Sequence, residues 1–281
     1  MAAIAKPVGK SQAELIHELN QRRRMMFRFN VYLSWAILFG VLAFMFSGIQ
    51  VSIGSLAIRT IQLNWTFIST RAAFIMGGIG QTLLICALSI ALACVLALVG
   101  ALGRLSKIPP FYALATFYVS LIRGTPLLLQ IIFFFLALPQ LGIQLSGFTA
   151  GVLALGLNYG AYMTEIFRAG IQSIGIGQRE AALAIGMTQG QIMKRIVLPQ
   201  ALRLVLPPTG NEFIAMLKDS ALVSVTGFVH EILWRAQKVG RAEFKSLESL
   251  LIAAILYWIL TIIFSAFQAR LETRLAESER Q

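Results

Sequence analysis

The sequence predicts an all-α fold, a polytopic bundle of transmembrane helices, on three observations. Of 281 residues, 57% are hydrophobic and only 13% charged, and the mean hydropathy is +0.76; a soluble domain carries about 25% charged residues. Several apolar runs reach the ~20 residues that cross a bilayer. Polar residues gather between those runs, with Lys and Arg unevenly shared among the intervening segments.

The elements follow in chain order. Residues 1–30 form a basic tail ending in Gln21-Arg22-Arg23-Arg24. No small-x-small cleavage site precedes a soluble domain, so "VYLSWAILFGVLAFMFSGI" at 31–49 reads as an anchor that stays in the membrane. An external segment runs on to residue 71, with Trp65 suited to the interface. The second span is 74–102, closed by a basic turn from Arg104 to Lys107 ahead of Pro109-Pro110. The third, 109–139, is broken at Arg123-Gly124-Thr125-Pro126. Proline lacks a backbone donor and disfavours helix at the residue before it, so this span reads as two helical pieces in series. The fourth span is 147–171, the fifth 203–228 and the least apolar, and the sixth 249–270, with a charged tail at 273–281.

Charge orients these spans. With the N-terminus inside, segments 1–30, 103–108, 172–203 and 269–281 hold 15 Lys and Arg, while 50–72, 140–147 and 229–247 hold 6. The bias puts both termini in the cytoplasm. Segment 229–247 runs against it, with Arg235, Lys238, Arg241 and Lys245 outside. The net charge of +12 comes largely from the inner segments, so it does not point to nucleic acid.

No enzyme chemistry emerges. Cys86 and Cys94 lie on one predicted helix about 12 Å apart along its axis, beyond disulfide reach. His17 and His230 are isolated, and no metal-binding cluster forms around them. No Ser/His/Asp or paired-carboxylate arrangement suggests catalysis. Ile4 stands where a phosphate-cradling loop ending in Gly9-Lys10-Ser11 would need glycine. "SIGIGQ" at 173–178 reads as a helix end.

The segment "EAALAIGMTQGQIMKRIVLPQ" at 180–200 reads as two short helices joined at Thr188-Gln189-Gly190, on the cytoplasmic side. A structured polar segment there most economically docks something soluble. Glu180-Ala181-Ala182, three residues, Gly186, nine residues and Ile196-Val197-Leu198-Pro199 reproduce a spaced pattern. It resembles the EAA loop of permeases in binding-protein-dependent ABC importers. "RGTPLLLQ" (123–130), "YMTEIFRAGIQSI" (162–174) and "LPQALRLVLPPTGNEFIAMLKDSAL" (198–222) are similar to the polar amino acid subfamily, whose members carry histidine, arginine, glutamine or glutamate. Thr164 and Ala221 stand where that subfamily more often has Ala and Ser.

The resemblance covers roughly 72–272 and implies a type I ABC importer permease with a five-helix core, to which the first span is an extra N-terminal helix. It implies a bacterial inner membrane location and a second permease copy or a sister permease. It further implies a cytosolic ABC ATPase dimer that carries the ATP and Mg, and an extracytoplasmic amino-acid-binding protein. This chain would then bind no cofactor of its own. The segment 177–200 would couple to the ATPase through Glu180, Ala181, Ala182 and Gly186. Small residues permit close approach, and Glu180 is expected near the helix's first turn, where a carboxylate suits the dipole.

Three acids, Glu165, Glu212 and Asp219, fall within spans. A charge at mid-bilayer costs about 2.5–3.5 kcal/mol, so each needs a partner or a cavity. Lys218 and Asp219 are expected to pair. For Glu165 the residues alone leave two readings open: an ion pair with Arg168, or a wall of the pathway shared with Tyr162 on one helix face. The resemblance implies that this face lines the central cavity, with Gln130 as a third wall. Glu165 would hold a substrate ammonium, and Gln130 or free backbone at the break its carboxylate. Arg123, Gly124 and Pro126 are expected to be structural. The competing classes are an ion-driven secondary transporter and a non-transporting scaffold. Against the former, the halves show no inverted repeat or matching pair of broken segments.

Overall fold

In a bilayer, backbone polar groups must bond within the chain, so apolar runs of this length form helices. The computed structural model describes residues 12–53 and 56–278, divided between two compact units, Met1–Trp65 and Thr66–Gln281. Ile4 and the Gly9-Lys10-Ser11 stretch lie outside the described residues.

In the first unit, α1 (Gln12–Met45) runs unbroken from the basic tail through the first span. An antiparallel hairpin follows, β1 (Gln50–Ile53) and β2 (Leu56–Arg59), with Gln50 opposite Arg59. The hairpin is a short addition to a chain that is otherwise helical, as expected. The alternation of Val51, Ile53, Leu56 and Ile58 with polar or small residues is a strand signal. The backbone N–H and hydroxyl of Thr60 both donate to the Ile49 carbonyl and close the hairpin's base.

Eleven helices occur among the described residues. After α1 come α2 (Trp65–Met76), α3 (Ile79–Leu105), α4 (Pro109–Arg123), α5 (Leu127–Ile132), α6 (Gly147–Ser173) and α7 (Ile176–Ala184). Then come α8 (Gln189–Ile192), α9 (Leu198–Asp219), α10 (Ile232–Ala242) and α11 (Ser246–Ser278). A wide turn (Phe133–Ala137) and a tight one (Leu138–Leu141) extend α5, and a 3-10 segment (Ser220–Thr226) extends α9. Asn20–Met45, Trp65–Leu105 and Ser246–Leu275 are long and apolar enough to cross a membrane. Pro109–Arg123 with Leu127–Leu141 reaches that length and apolarity only as a pair, bent by 104° at the break. The pieces expected in series therefore turn sharply: Gly124 closes α4 and Pro126, extended, starts α5.

The expected fourth and fifth spans, α6 and α9, do not reach that apolarity, because they carry the polar residues of the bundle interior. Helix α6 lies at its centre. Gly147, Ala150, Gly151, Ala154, Gly156 and Gly160 give it narrow surfaces that let neighbouring helices approach closely. The main core joins Ile85, Ala93 and Ala97 of α3 to Leu155 and Met163 of α6 and Val205 and Met216 of α9. A second core lies under α10 and α11, around Phe67, Ile75, Ile232, Ala236, Ala253 and Leu256. The expected connecting segment 229–247 thus contains a packed amphipathic helix.

Candidate functional site

The bent span opens a cavity of about 560 Å3, lined by Arg123 to Leu127 at the break, Asn158, Tyr159 and Tyr162 of α6, and Glu212 and Asp219 of α9. Its size suits a small-molecule site, for which about 300–1,000 Å3 is usual. Glu212 and Asp219 are seven residues apart and so share a helix face. The Asp219 carboxylate accepts the Tyr159 hydroxyl at 2.8 Å. The Arg123 guanidinium sits 4.9 Å from the centre of the Tyr162 ring. One fixed cation and two carboxylates thus line one chamber. The expected Lys218–Asp219 pair does not form: consecutive helical side chains diverge, and Lys218 is exposed.

Gln130 does not line the cavity. Its amide nitrogen reaches the carbonyls of Ile122 and Thr125 at 2.8 and 3.2 Å and the Thr125 hydroxyl at 2.8 Å. Its amide oxygen accepts from Asn158 at 3.2 Å. It therefore ties the carbonyls freed by the break, the part expected of Arg123, while Arg123 faces the chamber. Glu165 is also outside it. Its carboxylate accepts from Arg168 Nε at 2.8 Å and pairs with Arg104 of α3 at 3.6 Å. Arg104 was expected only as a turn residue, and only the packing of α3 on α6 brings it here. Of the three expected pathway residues, Tyr162 alone lines the cavity.

Segment 177–200 folds as read, with two short helices. The joint falls at Ile185–Thr188, where Thr188 and Gln191 cap α8 reciprocally. Helix α7 starts at Ile176, so Glu180 lies beyond its first turn and the dipole argument for it falls. Glu180 and Ala181 are exposed, whereas Ala182 is buried in the main core. Gly186 has φ +82° and ends α7, a conformation that costs an L-residue with a side chain about 1–2 kcal/mol. The outward face adds Ile176, Leu183 and Ile185, at 73, 47 and 79% exposure, which residue-level reading missed.

Glu231, fully buried outside the spans, caps α10 through the backbone N–H groups of Leu233 and Trp234 and accepts the Tyr257 hydroxyl. Burial pushes its carboxyl above the ordinary range, and these hydrogen bonds pull it partly back.

A broken membrane span wrapped around a charged chamber defines a membrane transport subunit. The chain belongs to the family described as binding-protein-dependent transport system inner membrane component, which matches residues 97–277. Members are transport subunits rather than enzymes. The chain is 40% identical over 220 residues to the arginine transport system permease protein ArtQ of Bacillus subtilis (strain 168), covering 77% of this chain and all of ArtQ. It is 34% identical over 216 residues to the glutamine transport system permease protein GlnP of Escherichia coli (strain K12), covering 76% of this chain and 98% of GlnP. Among solved structures, an amino acid ABC transporter crystallised with histidines aligns with a TM-score of 0.71 at 37% identity, over 76% of this chain and 100% of that one. The MetNI methionine ABC transporter, at 14% identity and a TM-score of 0.58 over 76% of this chain and 99% of that one, supports the fold alone.

Proposed function

We propose that this chain is the membrane-spanning subunit of an ATP-driven importer that carries a polar or charged amino acid into the cell. The observation behind this reading is the chamber at the break, where Arg123 stands with Glu212 and Asp219. An amino acid brings a carboxylate for the guanidinium and an ammonium for Asp219. Glu212 offers a second anion to a side-chain cation. Tyr162 and Tyr159 orient the two charged groups. A second copy or a sister subunit completes the pathway. The ATP and Mg stay on the partner ATPase dimer, which docks against Glu180, Ala181, Gly186 and the exposed apolar residues of α7. Both termini are cytoplasmic, and an extracytoplasmic binding protein delivers the cargo. Uptake of a panel of labelled amino acids by cells with and without the chain tests the reading. Asp219→Asn and Arg123→Ala should abolish accumulation of the carried amino acid at normal membrane levels. Unchanged uptake by both variants would remove the chamber from the pathway.

A further inference from the structure

Helix α10 is riveted at one end and bare along one face. Its start is held by the Glu231 cap and by Tyr257 of α11. The Ile232 N–H donates to the Thr82 hydroxyl of α3 at 3.4 Å, and Arg235 reaches the Phe74 carbonyl of α2 at 3.0 Å. Gly78 lies so close to the Ile232 backbone that an added Cβ would collide with it. On the bare face, His230, Trp234, Lys238 and Arg241 follow at spacings of four, four and three, which makes one stripe. His230 stacks on Trp234 at 4.0 Å, and the Lys238 ammonium sits 4.9 Å from the centre of the same ring. The indole N–H donates to the Gly227 carbonyl at 2.9 Å, which fixes the ring. Among the described residues no salt bridge neutralises the stripe: Glu231 is buried in its cap, and Glu243 pairs with Arg71 at 2.6 Å. A cavity of about 740 Å3 opens beside it, walled by Leu128, Leu222, Val225 and Leu233.

We propose that this stripe docks the acidic rim of the soluble binding protein that delivers the amino acid. The inference rests on the importer reading above, and on the orientation that places 229–247 outside. Topology gives outer cations no purpose, so the stripe needs another one. Trp and Arg anchor protein interfaces out of proportion to their number. A ladder already fixed by stacking loses little freedom on binding. Unmatched positive charge speeds encounter with an acidic partner and disfavours basic ones. A second copy meeting this face about a twofold axis would set the stripe against itself, like charge to like.

The test uses the complete transporter, with its ATPase, in nanodiscs without anionic lipid. ATPase stimulation is titrated with the purified binding protein that supports uptake. Lys238→Glu combined with Arg241→Glu should raise the half-maximal concentration roughly tenfold or more. The basal rate and the plateau should stay as in wild type, and high salt should narrow the difference. Reversing one acidic residue on the rim of the binding protein to Lys should restore part of the loss. An unchanged half-maximal concentration overturns the docking surface while leaving the importer reading intact. Loss of the basal rate, or dissociation of the permease pair, assigns the stripe to subunit assembly and overturns it. A defect that is absent without anionic lipid and appears only when anionic lipid is added to the nanodiscs assigns the stripe to lipid and overturns it. Failure of any binding protein to stimulate wild type overturns the importer reading and this inference together.

Discussion

The Gln130 amide meets two carbonyls, a hydroxyl and Asn158, so none of it is left for a solute. Gln130→Leu should leave the freed carbonyls unpaired, at about 1–3 kcal/mol each when buried. Its melting temperature in detergent should fall and all uptake should decline together; loss of one substrate alone would contradict the structural part. Glu165→Gln removes the charge that Arg104 and Arg168 pair with, so it should lower membrane abundance and uptake of every substrate in parallel, with Arg168→Ala acting alike. Unequal loss among cationic and neutral amino acids would return Glu165 to the pathway. Helical spacing put Tyr162 and Glu165 on one face, which was legible. That Arg104 arrives from α3 to neutralise Glu165 was not, because spacing within one helix says nothing about which neighbour packs on it. Likewise the Arg-Gly-Thr-Pro break was visible, but the side chain that ties it lies several residues downstream, on the far side of the turn.

At the scale of the element, Gly186 separates two explanations for a short helix. No atom lies within 4 Å of a Cβ built there, so the site has room, yet its φ is +82°. Asn tolerates that region and Val does not. Gly186→Asn should therefore keep more transport than Gly186→Val, and equal loss would show that bulk at the proposed ATPase contact matters more than the backbone. Helix α10 carries a pH signature. A carboxyl whose folded pKa stands above its unfolded value holds its proton more readily when folded. Its contribution to stability therefore falls as pH rises from the ordinary carboxylate range through the raised value of Glu231. Thermal melts should show a steeper loss over that window for wild type than for Glu231→Gln, and matching slopes would reject the assignment. The two short helices, α7 and α8, were readable from the small residues and the joint at Thr188-Gln189-Gly190. Helix α10 was not, since a short segment with three Lys and Arg among its apolar positions reads first as a loop.

For the whole molecule, the orientation makes a simple forecast. In a Cys-free background, a cysteine at Gly190 should resist an impermeant reagent in intact cells, and one at Gln237 should react; reversed labelling would invert the bundle. The order of the apolar runs was legible because bilayer thickness sets their length, although α6 and α9 fall short of the apolarity of a span. The two least apolar helices became the interior, and only packing reveals that. The bend of 104° has one more consequence. Gln130, which ties the carbonyls of the turn, stands outside the chamber, while Arg123, Tyr162, Glu212 and Asp219 line it. Shape and preference are thus separately heritable. A lineage can exchange the charged lining, and with it the cargo, while the scaffold of the turn passes unaltered to its descendants.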